Sequence, residues 1–223
     1  MRKIFGIAAV VMALAAPVQA QQGTTGMIGE TLLGASGYGQ LNFNAALQGQ
    51  SYAKPSQFAF SPDPALRLAV TRNVLADIAR NDQPLADALG KDPFRSFGPA
   101  LAAHNIRDSQ LDDSLAFMML ALWDAANAST AETTPGQAEA VKRQARAILS
   151  SMGGQPRGAS VQEASDDLYL SALMLSVLSA KVMEGRDPSQ VSQLQTMARR
   201  ESMASFGVDF ARMSLDTRGL MPR

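Results

Sequence analysis

Apolar residues recur at helical spacing along most of the chain beyond residue 60. Leu66, Val70, Val74 and Ile78 fall on one face of a segment over about 64–80, which predicts an amphipathic helix. Further helical segments are predicted over about 84–89, 94–103, 109–127, 135–152, 161–184 and 188–206. The pattern therefore predicts an all-α fold, a helical bundle of about five to seven helices.

Two of these segments, 109–127 and 161–184, are apolar on almost every side, which is typical of buried helices. Each carries a pair of aspartates ahead of its apolar run, and each is followed by a helix that begins with a proline. The offset between the two units is about 54 residues. This pattern fits two pseudo-repeated α-hairpins, but any two hairpins of a bundle would look alike, so both interpretations stay open.

Helix starts carry recognisable capping residues. Ser61 or Asp63 can cap the helix that begins near Pro64, since proline suits the first helical position. Thr134 with Gln137 forms a capping-box pattern, and Ser160 with Glu163 repeats it. These signals predict where three of the helices begin.

Residues 1–20 have the pattern of a secretory signal peptide. Arg2 and Lys3 precede a short apolar run, and small residues end the segment at Ala20. We expect cleavage before Gln21 and export to the periplasm, or alternatively to the extracellular space. A membrane anchor is the other interpretation, but the run is shorter than the ~20 residues that a spanning helix needs.

Residues 21–60 lack a helical period and are rich in glycine, glutamine and serine, which is typical of a flexible leader. The helical domain is then expected to cover residues 61–223. Apolar residues that could fix parts of the leader to this domain are Leu41, Phe43, Phe58 and Phe60. The closing segment offers three apolar anchors of its own: Phe210, Met213 and Leu215.

Composition narrows the function classes. Lys plus Arg equals Asp plus Glu at 20 each, which argues against nucleic-acid binding because that needs a basic surface. Cysteine is absent, so disulfides and thiolate metal sites are excluded. Stability in an oxidising compartment must then come from the core.

Four aspartates are the strongest candidates for a chemical site: Asp112, Asp113, Asp166 and Asp167. Two carboxylate pairs at the starts of adjacent helices could bind a divalent cation through oxygen ligands. Acidic residues in a first turn also stabilise the positive end of the helix dipole without any ion. Since no calcium-loop motif is present, we favour the structural role and predict no catalytic residue, no cofactor and no metal site.

Other side chains with chemical potential have structural explanations. The single histidine, His104, falls at a helix end and is expected to cap it, and no G-x-S-x-G motif exists to pair with it in catalysis. Trp123 is expected to be a core residue. Core filling is expected of Met118, Met119, Met174 and Met183. Solvated helix faces are expected for Lys142, Arg143, Arg146, Arg199 and Arg200.

Three short stretches carry a family likeness: FSPDPALR, LALWDAAN and DFARMSLDTRGL. In them the chain resembles a family of secreted bacterial helical proteins of unknown function, which combine a signal peptide, a variable leader and a helical domain that ends in an L-T-x-x-G-F-like turn. The corresponding residues here, LDTRGL over 215–220, depart from that ending. The resemblance covers about residues 57–220 and implies no activity, so no site residue follows from it.

These observations favour an exported, non-enzymatic helical interaction or scaffold protein. Its partner would be an unknown envelope protein or a second copy of the chain, with no nucleic acid and no stable membrane span in the mature chain. A first alternative is a periplasmic protein that binds a small ligand or lipid in an apolar pocket. A second alternative is a metal-dependent hydrolase built on the aspartate pairs.

Overall fold

The computed structural model describes residues 41–48, 57–152 and 159–223. Over these residues the protein is an all-α bundle, which confirms the fold class that the hydrophobic pattern predicts. The described part contains eight helices and one short hairpin. They are α1 (Phe43–Leu47), α2 (Pro64–Asn81), α3 (Gln83–Leu89), α4 (Pro93–Ala103), α5 (Leu111–Asn127), α6 (Pro135–Ser151), α7 (Ala159–Gly185), α8 (Pro188–Phe206), β1 (Met213–Asp216) and β2 (Gly219–Pro222).

The predicted helices correspond to α2–α8, and side-chain caps account for the starts of α2, α3, α4, α6 and α8. Asp63 precedes Pro64, and its side chain accepts from the backbone N–H of Ala65. Aspartates cap α3, α4 and α8 in the same way. Thr134 and Gln137 form both bonds of the predicted capping box. The second predicted box is wrong, because α7 begins at Ala159 and Ser160 lies inside the helix.

Helices α5 and α7 form the centre of the bundle. Every residue from Leu111 to Leu122 is buried, and the apolar residues of α7 join the same continuous core. Ser114 contacts Ser165, and the Phe117 ring meets the Tyr169 ring at a centroid distance of 5.7 Å. The second contact lies further along both helices than the first, so the two central helices run parallel.

The remaining long helices surround this pair. Helix α2 also runs parallel to α7, because Asp63 bonds to Gln162 and Arg67 bonds to Asp166. Helix α6 packs against α5, and α8 packs against α5 and α7. The parallel course of α5 and α7 requires a connection that returns along the bundle, and α6 supplies it.

Part of the segment that we expected to be a leader packs against the helices. Leu41 donates its backbone N–H to the Ser205 carbonyl at 2.7 Å, and α1 lies against α6. The Phe43 ring contacts the rings of Phe206 and Phe210 at centroid distances of 6.5 and 5.6 Å. Packed structure therefore begins ahead of Ser61, while the signal-peptide prediction over 1–20 lies outside the described residues.

The closing segment forms an antiparallel hairpin that the helical pattern did not predict. An isolated two-stranded hairpin is marginally stable in water, and here side chains of the helices bond to its backbone. The Gln144 amide both donates to the Leu220 carbonyl and accepts from the Leu220 N–H at 2.9 Å. Gly219 has φ +105°, and a Cβ at this position would overlap the Gln144 amide. Of the predicted anchors, Phe210 and Met213 are buried and Leu215 is partly buried.

One described segment, Val161–Gly185, is long and apolar enough to cross a membrane by length and composition alone. In the bundle, 78% of its most apolar window is buried. Packing beside α5 thus accounts for the apolar character of this helix.

A leucine pair tests the central position of α7. Leu173 is fully buried, whereas Leu68 on α2 is 45% exposed. We expect Leu173→Ala to lower the free energy of unfolding by roughly 2–5 kcal/mol, because a buried large-to-small change loses apolar contacts and leaves a cavity. The matched Leu68→Ala change should cost less than about 0.5 kcal/mol. Urea unfolding measures both values, and equal losses would contradict the assignment of α7 to the core.

Candidate functional site

The candidate site is a layer of charged and polar side chains near the starts of α5 and α7. We call it the polar layer. Its members come from α2, α5, α6, α7 and the loop before α5: Arg67, Asp108, Asp112, Asp113, Ser114, Glu139, Lys142, Arg146, Gln162, Ser165 and Asp166. Three of the four aspartates that the sequence singles out belong to it.

Asp113 and Lys142 form a fully buried ion pair between α5 and α6. The Lys142 Nζ lies 2.9 Å from Asp113 Oδ1, and neither side chain is more than 4% exposed. Lys142 also donates to the Asn105 carbonyl at 2.8 Å, and Asp113 accepts from the Arg107 backbone N–H at 2.9 Å. The pair thereby fixes the loop before α5 as well as the two helices.

Asp112 pairs with Arg146, one turn further along α6. Arg146 Nε donates to Asp112 Oδ2 at 2.6 Å, and the carboxylate is completely buried. A second guanidinium nitrogen, Nη1, reaches Glu139 at 3.5 Å. The other oxygen of Asp112, Oδ1, has no hydrogen-bond partner among the described residues.

Asp166 receives the guanidinium of Arg67 on α2. Arg67 Nη2 lies 3.0 Å from Asp166 Oδ1, and Arg67 Nη1 lies 2.8 Å from Asp108 Oδ2. The guanidinium carbon also stands 4.2 Å from the centroid of the Phe94 ring, which is cation–π geometry. Gln162, one turn earlier on α7, donates to Asp166 Oδ2 at 3.1 Å.

A serine pair joins the two halves of the polar layer. The hydroxyl oxygens of Ser114 and Ser165 lie 2.8 Å apart between α5 and α7. The Asp112–Asp113 pair and Asp166 are thereby brought to neighbouring positions on the central helices. Asp112 and Asp113 both pair with cations of α6, whereas Asp166 pairs with a cation of α2. The similarity between the two possible hairpin repeats therefore does not extend to their ionic partners.

One aspartate pair and two cations lie elsewhere than the sequence predicts. Asp112 and Asp113 do lie in the first turn of α5, but Asp166 and Asp167 are two turns inside α7 because that helix begins at Ala159. Lys142 and Arg146 were expected on a solvated face, yet they are buried and half-buried. Arg143, Arg199 and Arg200 are exposed as predicted.

A signal for the buried cations was present in the sequence. Lys142 falls four residues after Ala138, three before Ala145 and seven before Leu149, so it lies within the apolar stripe of α6. A cation in such a stripe needs a buried anion opposite it. The sequence does not show which helix would supply that anion.

The remaining candidates occupy structural positions. His104 is the C-cap residue of α4, as predicted. Trp123 is only partly buried, and its indole N–H donates to the Met213 carbonyl at 3.0 Å, so it anchors the hairpin. Among the methionines, Met118, Met119 and Met174 are buried in the core and Met183 is half-buried.

Burial alters the acid–base behaviour of several aspartates. It raises the pKa of Asp113 and Asp166 despite the opposing effect of Lys142 and Arg67. Burial alone raises the pKa of Asp167 to about 6 and that of Asp124 to about 8. One carboxylate oxygen of each of the latter two is buried without a hydrogen-bond partner among the described residues. Asp124 is therefore mainly neutral at pH 7, whereas Asp167 is mainly neutral only below about pH 6.

The chemistry of the polar layer is that of helix attachment. Its cations are each directed at buried carboxylates, and its carboxylates accept from cations, amides or backbone N–H groups. Among the described residues, no group of three or more acidic or histidine side chains could hold a metal ion. The layer therefore offers ion pairing and helix registration as its chemistry.

Comparison with known proteins adds no assignment to this site. No family model, no curated protein and no solved structure matches the chain. The resemblance to a secreted helical family stays a prediction from short motifs.

The raised pKa values predict that stability falls as pH rises. Asp124 and Asp167 bind protons more tightly in the folded state than at their ordinary value of 3.8. The stability that each group contributes is therefore fully present below about pH 4. It is lost as pH rises through about 6 for Asp167 and through about 8 for Asp124. Each such group can lower the free energy of unfolding by roughly 1.4 kcal/mol per pH unit within its window.

Urea unfolding at pH 5, 6.5 and 8 measures this dependence. We expect the free energy of unfolding to fall across the series and Asp124→Asn to reduce the slope, because the amide does not ionise. Arg218→Met, in the exposed pair with Asp216, serves as the control and should leave the slope unchanged. A free energy of unfolding that rises from pH 5 to pH 8 would contradict the burial of these carboxyls.

Proposed function

We propose that the chain is an exported, non-enzymatic helical protein that acts by binding an envelope protein or a second copy of itself. The observation that carries this proposal is the use of the interior charges. Asp112, Asp113 and Asp166 each face a cation from another helix. Side chains that could have served catalysis thus hold helices together. We therefore expect the protein to act through its surface, by binding a partner.

The described core favours this proposal over the ligand-binding alternative. Met118, Met119 and Met174 pack within one continuous cluster of buried side chains. A protein that encloses a lipid or small ligand would instead direct such residues into an apolar cavity. The metal-dependent alternative is disfavoured because cations from other helices already pair with three of the four aspartates from which it would be built.

The proposed location is the periplasm, with the extracellular space as the alternative. Support comes from the sequence of residues 1–20, with its basic start, apolar run and small residues before Gln21. The absence of cysteine is compatible with an oxidising compartment because no thiol can be oxidised there.

Native mass spectrometry of protein released from the periplasm tests export and binding together. We expect a chain that begins at Gln21, either as a multimer of itself or in a stoichiometric complex with another protein. A variant without residues 2–20 is the control and should remain in the cytoplasm. A chain that retains Met1 would contradict export, and a stoichiometric lipid or small molecule on a monomer would favour the ligand-binding alternative.

A further inference from the structure

Helix α2 is attached to the bundle differently from the other long helices. Of its 18 residues, only Thr71 and Ile78 are buried, and Leu68 points outward with 45% exposure. Helix α5, by contrast, buries an unbroken run of twelve residues from Leu111 to Leu122. Apolar burial therefore contributes little to holding the first half of α2 in place.

Polar contacts hold this first half. Arg67 bonds to Asp166 and Asp108, and its guanidinium covers one face of the Phe94 ring. Asp63 exchanges two backbone bonds with the Gln162 amide, at 2.7 and 2.9 Å. Water can replace such bonds when the contact opens, so their net contribution is smaller than their number suggests.

Both ends of the segment are anchored by apolar residues. Phe58 is buried ahead of it, and its carbonyl accepts from the Leu111 backbone N–H at 3.0 Å. Ile78 is buried behind it, where Leu75 and Ala79 also pack against the core. Between these ends only Val70 and Val74 pack, partly buried, against the core, so polar bonds carry most of the attachment of the intervening chain.

We propose that residues 61–74 form a strap that opens locally from α7 and closes again, with Arg67 as the latch that holds it shut. Segments with few buried apolar contacts open below the global unfolding free energy. Opening takes the guanidinium off Phe94, whose other face stacks on Tyr169 at a centroid distance of 4.7 Å. It also uncovers Asp166, so the strap controls access to an acidic and aromatic surface.

Hydrogen–deuterium exchange on the full-length chain measures the opening. We expect backbone amides over 67–74 to exchange at least about a hundredfold faster than amides over 115–122, because a sub-global opening needs less free energy than complete unfolding. Equal rates in the two regions would overturn the proposal, since exchange would then occur only through global unfolding.

Variants of Arg67 test the latch. Arg67→Met should speed exchange over 67–74 by roughly tenfold or more, because bonds to a charged group are lost. Exchange over 115–122 should rise by no more than the same factor, because global unfolding breaks the same bonds. Arg72→Met removes an exposed cation of the same helix and is the matched control, which should leave both regions unchanged. No acceleration over 67–74, or an equal acceleration by Arg72→Met, would overturn the assignment of Arg67.

A milder substitution covers the case in which Arg67→Met does not fold. Arg67→Lys keeps the positive charge and loses the planar fork that reaches Asp166 and Asp108 together. We expect it to speed exchange over 67–74 by less than the full truncation would, because the charge next to Asp166 is kept. An unchanged rate over 67–74 in this variant would show that the guanidinium fork does not hold the strap.

Discussion

A carboxylate that stays ionised inside a helical bundle needs a cation opposite it, and this constraint fixes the outer helices α2 and α6 on the central pair. Removing a charge from water costs several kcal/mol, which only a well-placed partner offsets. Asp112, Asp113 and Asp166 are completely buried, and their partners come from the surrounding helices. Sliding α6 by one turn would place one of its two cations opposite the other's carboxylate and leave the second carboxylate unpaired. The ion pairs therefore specify the register of helices whose apolar faces alone would tolerate several positions.

Ion pairs attach both α6 and α2 to the central helices, but the two helices are held with different strength. Helix α6 combines its cations with a buried apolar stripe that includes Val141, Ala145 and Ile148, so its ion pairs lie in a dry interface. Helix α2 carries Arg67 but buries few of its other residues, so its ion pair is supported by little apolar contact. A graded stability follows, with a firm centre formed by α5, α6 and α7 and a weaker attachment of the first half of α2.

Much of this fold could be predicted from the sequence, because local signals determine helices. The 3.6-residue period located α2–α8, and the predicted caps marked the starts of α2 and α6, at Asp63 and Thr134, but not that of α7. Helix α1 is too short to show a period. The C-terminal hairpin depends on Gln144 reaching the Leu220 backbone from α6, which no local pattern reveals. The polar layer was missed for a related reason, since pairing requires knowledge of which helices are neighbours.

A double-mutant cycle on Asp113 and Lys142 tests the central claim most directly. The free energy of unfolding would be measured for wild type, Asp113→Asn, Lys142→Met and the double variant, with the exposed Arg218–Asp216 pair as the control cycle. We predict a coupling energy of about 2 kcal/mol or more for the buried pair, because each single change strands a buried group. The exposed pair should give less than about 1 kcal/mol. A coupling below about 0.5 kcal/mol between Asp113 and Lys142 would contradict the claim that buried ion pairs set the helix register.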